Sequence, residues 1–129
     1  MTTSKIKFFQ SEIIDWKKTV EFYAHQLNAF NGRLTELKSG DGEAEHFSNR
    51  FITAKDNFIA LRADLHSQEE SIVSAAPDYD NITSNFVDKQ FHLADRMQEA
   101  ELSFSELKRA FYQFIETQSA AIKDQQIQA

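Results

Sequence analysis

The sequence predicts an all-α protein, an antiparallel up-down-up bundle of three long helices over about residues 5–39, 42–74 and 78–122. Apolar residues recur at alternating steps of three and four along each segment. Short turn sequences separate the segments. The chain also holds only 3 glycines and 1 proline, too few for a sheet-rich or loop-rich fold. The whole chain, residues 1–129, is expected to form one domain.

The first helix carries the most regular apolar stripe, which we call its seam. Its members are Ile6, Phe9, Ile13, Trp16, Val20, Tyr23, Leu27, Phe30, Leu34 and Leu37. A 3.5-residue repeat keeps one stripe of a helix facing its neighbours, so this pattern predicts lengthwise packing against other helices. Gly32 falls opposite the seam, where it costs about 1 kcal/mol relative to alanine without ending the helix.

Two short segments interrupt the periodicity and predict turns. Residues 39–42 contain two glycines, which allow the backbone to reverse, and Asp41 can cap the next helix. Residues 74–80 contain Pro77, which lacks an amide hydrogen and suits the first turn of a helix. Short turns between helices of similar length force an antiparallel arrangement.

The second and third segments repeat the pattern. The second seam is Ala44, Phe47, Phe51, Ala54, Phe58, Leu61, Leu65, Gln68, Ile72 and Ala75. The third helix has two rows, one of Tyr79, Phe86, Leu93, Ala100, Leu107 and Phe114, the other of Thr83, Gln90, Met97, Phe104, Phe111 and Gln118. Bulky aromatic rings fill the wide centre of a three-helix or four-helix bundle. We therefore expect an intramolecular three-helix bundle, with two chains pairing their hairpins as the alternative. The Gln-rich end, residues 124–129, is expected to fray.

Composition excludes several functional classes. The net charge of −6 argues against nucleic acid or an anionic membrane as a partner. The chain has no cysteine, so disulfides, thiolate metal sites and cysteine nucleophiles are excluded. No apolar stretch approaches the roughly 20 residues of a membrane span. The N-terminal residues show no secretion pattern, which predicts a cytoplasmic protein.

Three polar residues fall within the seams. Antiparallel folding brings Gln68, Thr83 and Gln90 to similar heights near the second turn. Polar seam residues commonly form a hydrogen-bonded layer that fixes the register of the helices, or mark a loosely packed bundle end. A small binding pocket at that end is the alternative.

Histidines and carboxylates raise the hypothesis of a ferritin-like or hemerythrin-like metal site. Such sites use Glu-x-x-His on inward helix faces, because side chains at i and i+3 converge on one ion. Glu43 and His46 have this spacing, and His66, Asp88 and His92 could be neighbours across the second and third helices. All four histidines of the chain lie outside the seams, however. Solvated histidines are therefore the preferred interpretation.

Further apolar residues remain after the seams are assigned. They are Phe8, Ile14 and Phe22 in the first helix, Ile52, Ile59 and Val73 in the second, and Phe91, Leu102, Tyr112 and Ile115 in the third. The three from the second helix share one row about 130° from the middle of its seam. Scattered surface hydrophobes are ordinary in proteins, but a row at heptad spacing suggests a surface for a partner.

Three stretches of the chain form a distinctive set: residues 16–23 (Trp-Lys-Lys-Thr-Val-Glu-Phe-Tyr), residues 45–52 (Glu-His-Phe-Ser-Asn-Arg-Phe-Ile) and the segment from Arg96-Met97 to Phe114-Ile115. Together they resemble a family of short helical proteins from Bacteroidetes with no established activity. The resemblance implies that Glu45, His46 and Asn49 recur together on one helix. They would form either a surface hydrogen-bond cluster or part of a binding face.

The sequence therefore predicts a non-enzymatic, cytoplasmic interaction or scaffold module that associates with itself, without cofactors. Its contact residues are predicted to be Ile52, Ile59 and Val73, together with Phe22. A metal-binding helical bundle that uses the histidines and carboxylates named above is the alternative function.

Overall fold

The computed structural model describes residues 3–37, 42–75 and 84–128. Three helices are present: α1 (Thr3–Leu34), α2 (Glu43–Ala75) and α3 (Ser84–Gln128). The described residues contain no strand. The helices pack around one core, which confirms the predicted all-α three-helix bundle.

Polar contacts between α1 and α2 show that these two helices are antiparallel. The Lys17 ammonium lies 2.9 Å from the Glu69 carboxylate, and the Glu21 carboxylate lies 2.6 Å from the Arg62 guanidinium. Residue numbers therefore rise along α1 as they fall along α2.

The third helix runs antiparallel to α2 and so parallel to α1. The Arg96 guanidinium of α3 lies 2.6 Å from the Asp64 carboxylate of α2. Further along, the Gln68 side chain of α2 donates to the Gln90 side chain of α3. The topology is up-down-up, as the short turn segments predict.

The seam of α1 divides into a fully buried row and a half-buried row. The fully buried members, at most 5% exposed, are Ile6, Ile13, Val20, Leu27 and Leu34. The companion row is mostly aromatic and lies at the edge of the core, with Phe9, Trp16, Tyr23 and Leu37 only partly buried. Phe30 alone in that row is buried, at 2% exposure.

Phenylalanine rings from all three helices fill the bundle near the first turn. Ring centroids of Phe51 and Phe111 lie 5.0 Å apart, as do those of Phe47 and Phe114, and Phe30 lies 5.2 Å from Phe111. The backbones of α1 and α2 approach each other closely, whereas α3 stands further from both. Large rings fill the resulting space, as expected for the wide centre of a bundle.

The helix ends differ from the predicted ones at two places. α1 ends at Leu34 rather than at residue 39, because the Glu36 and Leu37 amides donate to carbonyls three residues back and form a tight turn. Leu37 still packs on the core, so the apolar spacing continues past the end of the helix. α3 continues to Gln128 rather than ending at 122, and no glycine or proline follows Pro77 to stop it.

The turn segments lie largely outside the described residues. Gly42, the last residue of the first turn segment, is described. Its φ is +79°, a left-handed conformation that favours glycine. Its carbonyl accepts a hydrogen bond from the backbone amide of His46 in the first turn of α2. The predicted helix start at residue 78 lies outside the described residues. The fraying of residues 124–129 stays a prediction. None of the helices described here is long and apolar enough to cross a membrane.

Two adjacent isoleucines provide a matched test of this register. Ile13 is fully buried, whereas Ile14 is 38% exposed. We expect Ile13→Ala to lower the free energy of unfolding by about 3 kcal/mol, because it removes core contacts and leaves a cavity. Ile14→Ala should lower it by about 1 kcal/mol. Urea denaturation of both variants measures the difference, and equal losses would contradict the register.

Candidate functional site

The two seam glutamines tie the three helices together at one height. Gln68 and Gln90 are 1% and 2% exposed. The Gln68 side-chain amide donates to the Gln90 side-chain oxygen at 3.2 Å and to the Phe86 carbonyl at 3.1 Å. The Gln90 amide in turn donates to the Phe9 carbonyl at 3.2 Å and to the Glu12 carboxylate at 3.1 Å.

These bonds explain why amides can be buried at this position. A buried polar group is tolerated when it is hydrogen-bonded, and each bond here joins two different helices. Only one vertical alignment of the helices satisfies all of them, so Gln68 and Gln90 set the register of α3. Thr83, the third predicted member of the layer, lies outside the described residues.

The predicted apolar row of α2 is exposed along its length. Ile52, Ile59 and Val73 are 50%, 52% and 59% exposed, although each neighbours a buried seam residue. Ile59 borders a shallow groove of about 250 Å³ between α1 and α2, lined also by Ala24, Phe58 and polar residues of both helices. We call Ile52, Ile59 and Val73 the α2 row.

Phe22 is 56% exposed but does not border the same groove. It precedes Tyr23, whose ring stacks on Phe104 of α3 with centroids 4.4 Å apart. Since successive helix residues differ by about 100° in direction, Phe22 lies on the outer side of α1 nearer to α3 than to α2. The structure therefore separates Phe22 from the other three predicted contact residues.

His66 occupies the heptad position of the α2 row between Ile59 and Val73. Its Nδ1 lies 3.2 Å from the Lys17 ammonium of α1, and its Nε2 lies 3.2 Å from the Glu70 carboxylate. Because an ammonium can only donate, this geometry requires a lone pair on Nδ1 and a hydrogen on Nε2. His66 thus points toward α1.

The candidate metal ligands are not gathered into one site. Among the described residues, no group of three or more histidines, aspartates and glutamates is placed to hold a metal ion. His66 is engaged by its charged neighbours on α1 and α2. Asp88 and His92 are exposed on α3, and Glu43 and His46 are exposed at the start of α2.

A polar groove separates α2 from α3. It consists of two adjoining cavities of about 370 Å³ and 380 Å³, both open to solvent and both lined by Ala54, Asn57 and Ser103. Most of its lining side chains are small or polar, and Phe58, Leu61 and Leu107 add apolar surface.

Two of the three residues singled out by the family resemblance lie in this groove. His46 and Asn49 line the second cavity. Glu45 is exposed and does not line either cavity. The structure therefore separates Glu45 from the other two.

Sequence reasoning missed the α3 side of this groove. Arg96 and Glu99 line one cavity and Glu106 lines the other. The one signal in the sequence was the coincidence of small residues, Ala54 on α2 and Ala100 on α3, at facing seam positions. Small side chains at such positions leave room that larger seam residues would fill.

Aromatic contacts dominate the boundary between α1 and α3. Tyr23 stacks on Phe104, and the ring centroid of Phe30 lies 5.9 Å from that of Tyr112. Burial raises the pKa of the Tyr23 phenol, and the nearby carboxylate of Glu101 raises it further. Glu101 of α3 therefore places negative charge beside this boundary.

No protein-family model matches the chain, and no match was found among curated proteins or solved structures.

The glutamine layer can be tested with a double-mutant cycle. We expect Gln90→Leu to lower the free energy of unfolding by about 2 kcal/mol, because the buried Gln68 amide loses one of its two acceptors and the Glu12 carboxylate loses its donor on α3. The double variant Gln68→Leu/Gln90→Leu should lose less than the sum of the single variants. Urea denaturation measures all three, and additive losses would show that the two amides act independently.

Proposed function

We propose that the protein is a non-enzymatic interaction or scaffold module that associates with a second copy of itself through the α2 row. The observation that carries this proposal is the exposure of Ile52, Ile59 and Val73, each at least half exposed, at heptad spacing on one helix face. A straight apolar row along a helix is the kind of surface that another helix covers.

The α2 row is self-complementary in an antiparallel arrangement. Positions 52 and 73 lie at equal distances on either side of the midpoint of the row, and so do positions 59 and 66. Two antiparallel copies of α2 would therefore set Ile52 against Val73 and Ile59 against His66. Such a two-fold contact uses the same surface on both subunits, as most homodimers do.

The charges beside the α2 row do not oppose such a contact. Both signs occur there: Lys55 and Arg62 lie on the side of α2 next to α1, with Asp56 and Glu70 on its outer side. The Arg62 charge, near the midpoint, is balanced by Glu21 of the same chain at 2.6 Å. Lys55 forms no ion pair with any other residue in the described part of the chain, which leaves it available to an acidic residue of a second copy.

Burial energies predict a weak contact. Each half-exposed isoleucine of the α2 row gains about 1 kcal/mol when the rest of its apolar surface is covered. Association also loses translational and rotational freedom, which offsets several such gains. The proposed dimer should therefore depend on concentration and form at high micromolar protein.

The proposal places the module in the cytoplasm. The net charge of −6 supports protein partners in preference to nucleic acid or an anionic membrane.

Sedimentation equilibrium at high micromolar concentration tests the self-association. We expect the unaltered protein to sediment as a dimer and Ile59→Asp to sediment as a monomer, because a carboxylate in the contact is costly to desolvate. Leu102→Asp is the matched control, since Leu102 is similarly exposed but lies on α3, and it should leave the dimer intact.

Thermal unfolding of both variants verifies that they fold. The self-association proposal would be wrong if the unaltered protein were monomeric at these concentrations. A dimer broken by Leu102→Asp and not by Ile59→Asp would place the contact elsewhere.

A further inference from the structure

The groove between α2 and α3 carries a line of uncharged hydrogen-bonding side chains. Asn49, Thr53 and Asn57 follow one another at steps of four along α2, and Ser103 lies on the α3 wall. All four are exposed, and they line the two adjoining cavities of about 370 Å³ and 380 Å³. We call these four residues the polar ladder.

The polar ladder takes no part in the hydrogen bonding of the bundle. Among the described residues, none is bonded to the side chain of any of its four members. Thr19, Thr35 and Thr117 show the usual alternative, since each donates its hydroxyl to a backbone carbonyl three or four residues back. Thr53 makes no such bond within the described part of the chain. The groups of the ladder are therefore available to a ligand.

The chemistry of the ladder matches that of a peptide backbone. An asparagine side chain presents a carbonyl oxygen and an NH2 group, and a hydroxyl also both donates and accepts. Each backbone residue likewise presents one C=O and one N–H. In a helix these groups are bonded to one another, whereas an extended segment leaves them unpaired. The ladder therefore complements an extended segment better than a helix.

The spacing of the ladder also suits an extended segment. Four residues of a helix rise about 6.0 Å. Two residues of an extended chain, after which its backbone groups point the same way again, span about 6.6–6.8 Å. Along α2 the groove runs from His46 to Leu61, a length of about 22 Å, which six to seven extended residues fill.

The floor of the groove is apolar. Ala54 and Ala100 are half-buried there, and Phe58, Leu61 and Leu107 are buried beside them. Alternate side chains of an extended segment point to the same face. Every second side chain of an occupant would therefore meet this floor, where the two alanines leave room for a side chain the size of valine.

Carboxylates on the α3 wall disfavour a nucleic acid strand in the same groove. Glu99 and Glu106 line it, and neither forms an ion pair with another described residue. Of the two arginines in the groove, Arg96 is bonded to Asp64, and Arg50 lies over a phenylalanine ring of its own helix, 5.5 Å from the centroid. Phosphates in the groove would lie beside these carboxylates, which is unfavourable.

We propose that the α2–α3 groove binds an extended peptide segment of another protein. The backbone of this segment is bonded to the polar ladder, and its alternate apolar side chains lie on the groove floor. Where proteins recognise extended peptides, main-chain hydrogen bonds give affinity and contacts with alternate side chains give specificity.

Peptide binding does not rest on self-association. Ile59 of the α2 row borders the other groove, between α1 and α2. Ile59→Asp should therefore bind peptide as tightly as the unaltered protein, whether or not the unaltered protein dimerises.

An eight-residue peptide of alternating valine and serine, capped at both ends, is a suitable probe. Valine favours the extended conformation, and the peptide has no charge that would attract it to an acidic protein. Its matched control carries an N-methyl group on every interior amide, which removes the donors and keeps the side chains. We expect the full-length protein to bind the control at least about tenfold more weakly in fluorescence anisotropy.

Side-chain amide signals locate the bound peptide. In ¹⁵N-labelled protein, the NH2 signals of Asn49 and Asn57 should shift as the peptide is added. Asn28 and Asn85 are also exposed but line neither cavity, so their signals should keep their positions.

Asparagine variants test the ladder. Asn49→Ala/Asn57→Ala should weaken binding of the valine-serine peptide roughly tenfold, because it removes two groups that bond to the peptide backbone. Asn28→Ala/Asn85→Ala makes the same chemical change outside the groove and should alter the affinity less than about twofold. Alanine favours the helix, so both variants should keep the fold.

A bulky residue in the groove provides a second test. Ser103→Trp should abolish binding of the peptide, because the indole ring fills space shared by both cavities. Ser105→Trp is the matched control, since Ser105 is exposed on α3 and lines neither cavity. Thermal unfolding of the two variants distinguishes a blocked groove from a lost fold.

Three outcomes would overturn the proposal. The first is the absence of binding at millimolar peptide. The second is equal affinity for the two peptides, which would show that backbone hydrogen bonds play no part. The third is equal weakening by the two asparagine pairs, which would place the contact outside the groove.

Discussion

The fold depends on one geometric constraint, the 3.5-residue spacing of apolar side chains in three consecutive helices. This spacing allows each helix to turn only one stripe inward. In α1 the stripe buries Ile6 and Ile13 completely and leaves Trp16 and Tyr23 at its edge. Apolar residues outside the stripe therefore have no place in the core and remain on the surface, where they become available to partners.

The three boundaries between the helices differ because the side chains that separate the helices differ. α1 and α2 approach closely and are joined by ion pairs, such as that of Lys17 with Glu69. Large rings hold α3 further out, so its boundary with α2 is an open polar groove. Its boundary with α1 is lined by aromatic rings, among them Tyr23 stacked on Phe104. The three boundaries of this small bundle thus differ in chemistry.

The glutamine layer limits how the bundle can shift. Apolar contacts alone tolerate sliding of one helix along another by a heptad, since every heptad presents a similar stripe. Gln90 removes this freedom because its amide must reach the Phe9 carbonyl and the Glu12 carboxylate while its oxygen accepts from Gln68. The positions of all three boundaries rest on this alignment.

Much of the fold could be predicted from the sequence because periodicity reports directly which side of a helix is buried. The exposure of Ile52, Ile59 and Val73 and the burial of Gln68 and Gln90 follow from their places in the heptad. The grooves and pairings could not be predicted in the same way. The width of the α2–α3 groove depends on how far the rings of α3 hold that helix from its neighbours. The bond between Lys17 and His66 depends on how two helices are rotated, so the sequence alone groups His66 with the carboxylate and histidine of α3 as a possible ligand set.

The alignment of α3 with α1 is tested most directly by nuclear Overhauser effects between aromatic rings in protein labelled at tyrosine and phenylalanine. The ring centroids of Tyr23 and Phe104 lie 4.4 Å apart, so strong cross-peaks between these two rings are expected and should vanish in Phe104→Leu. Cross-peaks that persist in Phe104→Leu and connect Tyr23 instead to Phe111, one heptad further along α3, would contradict the account.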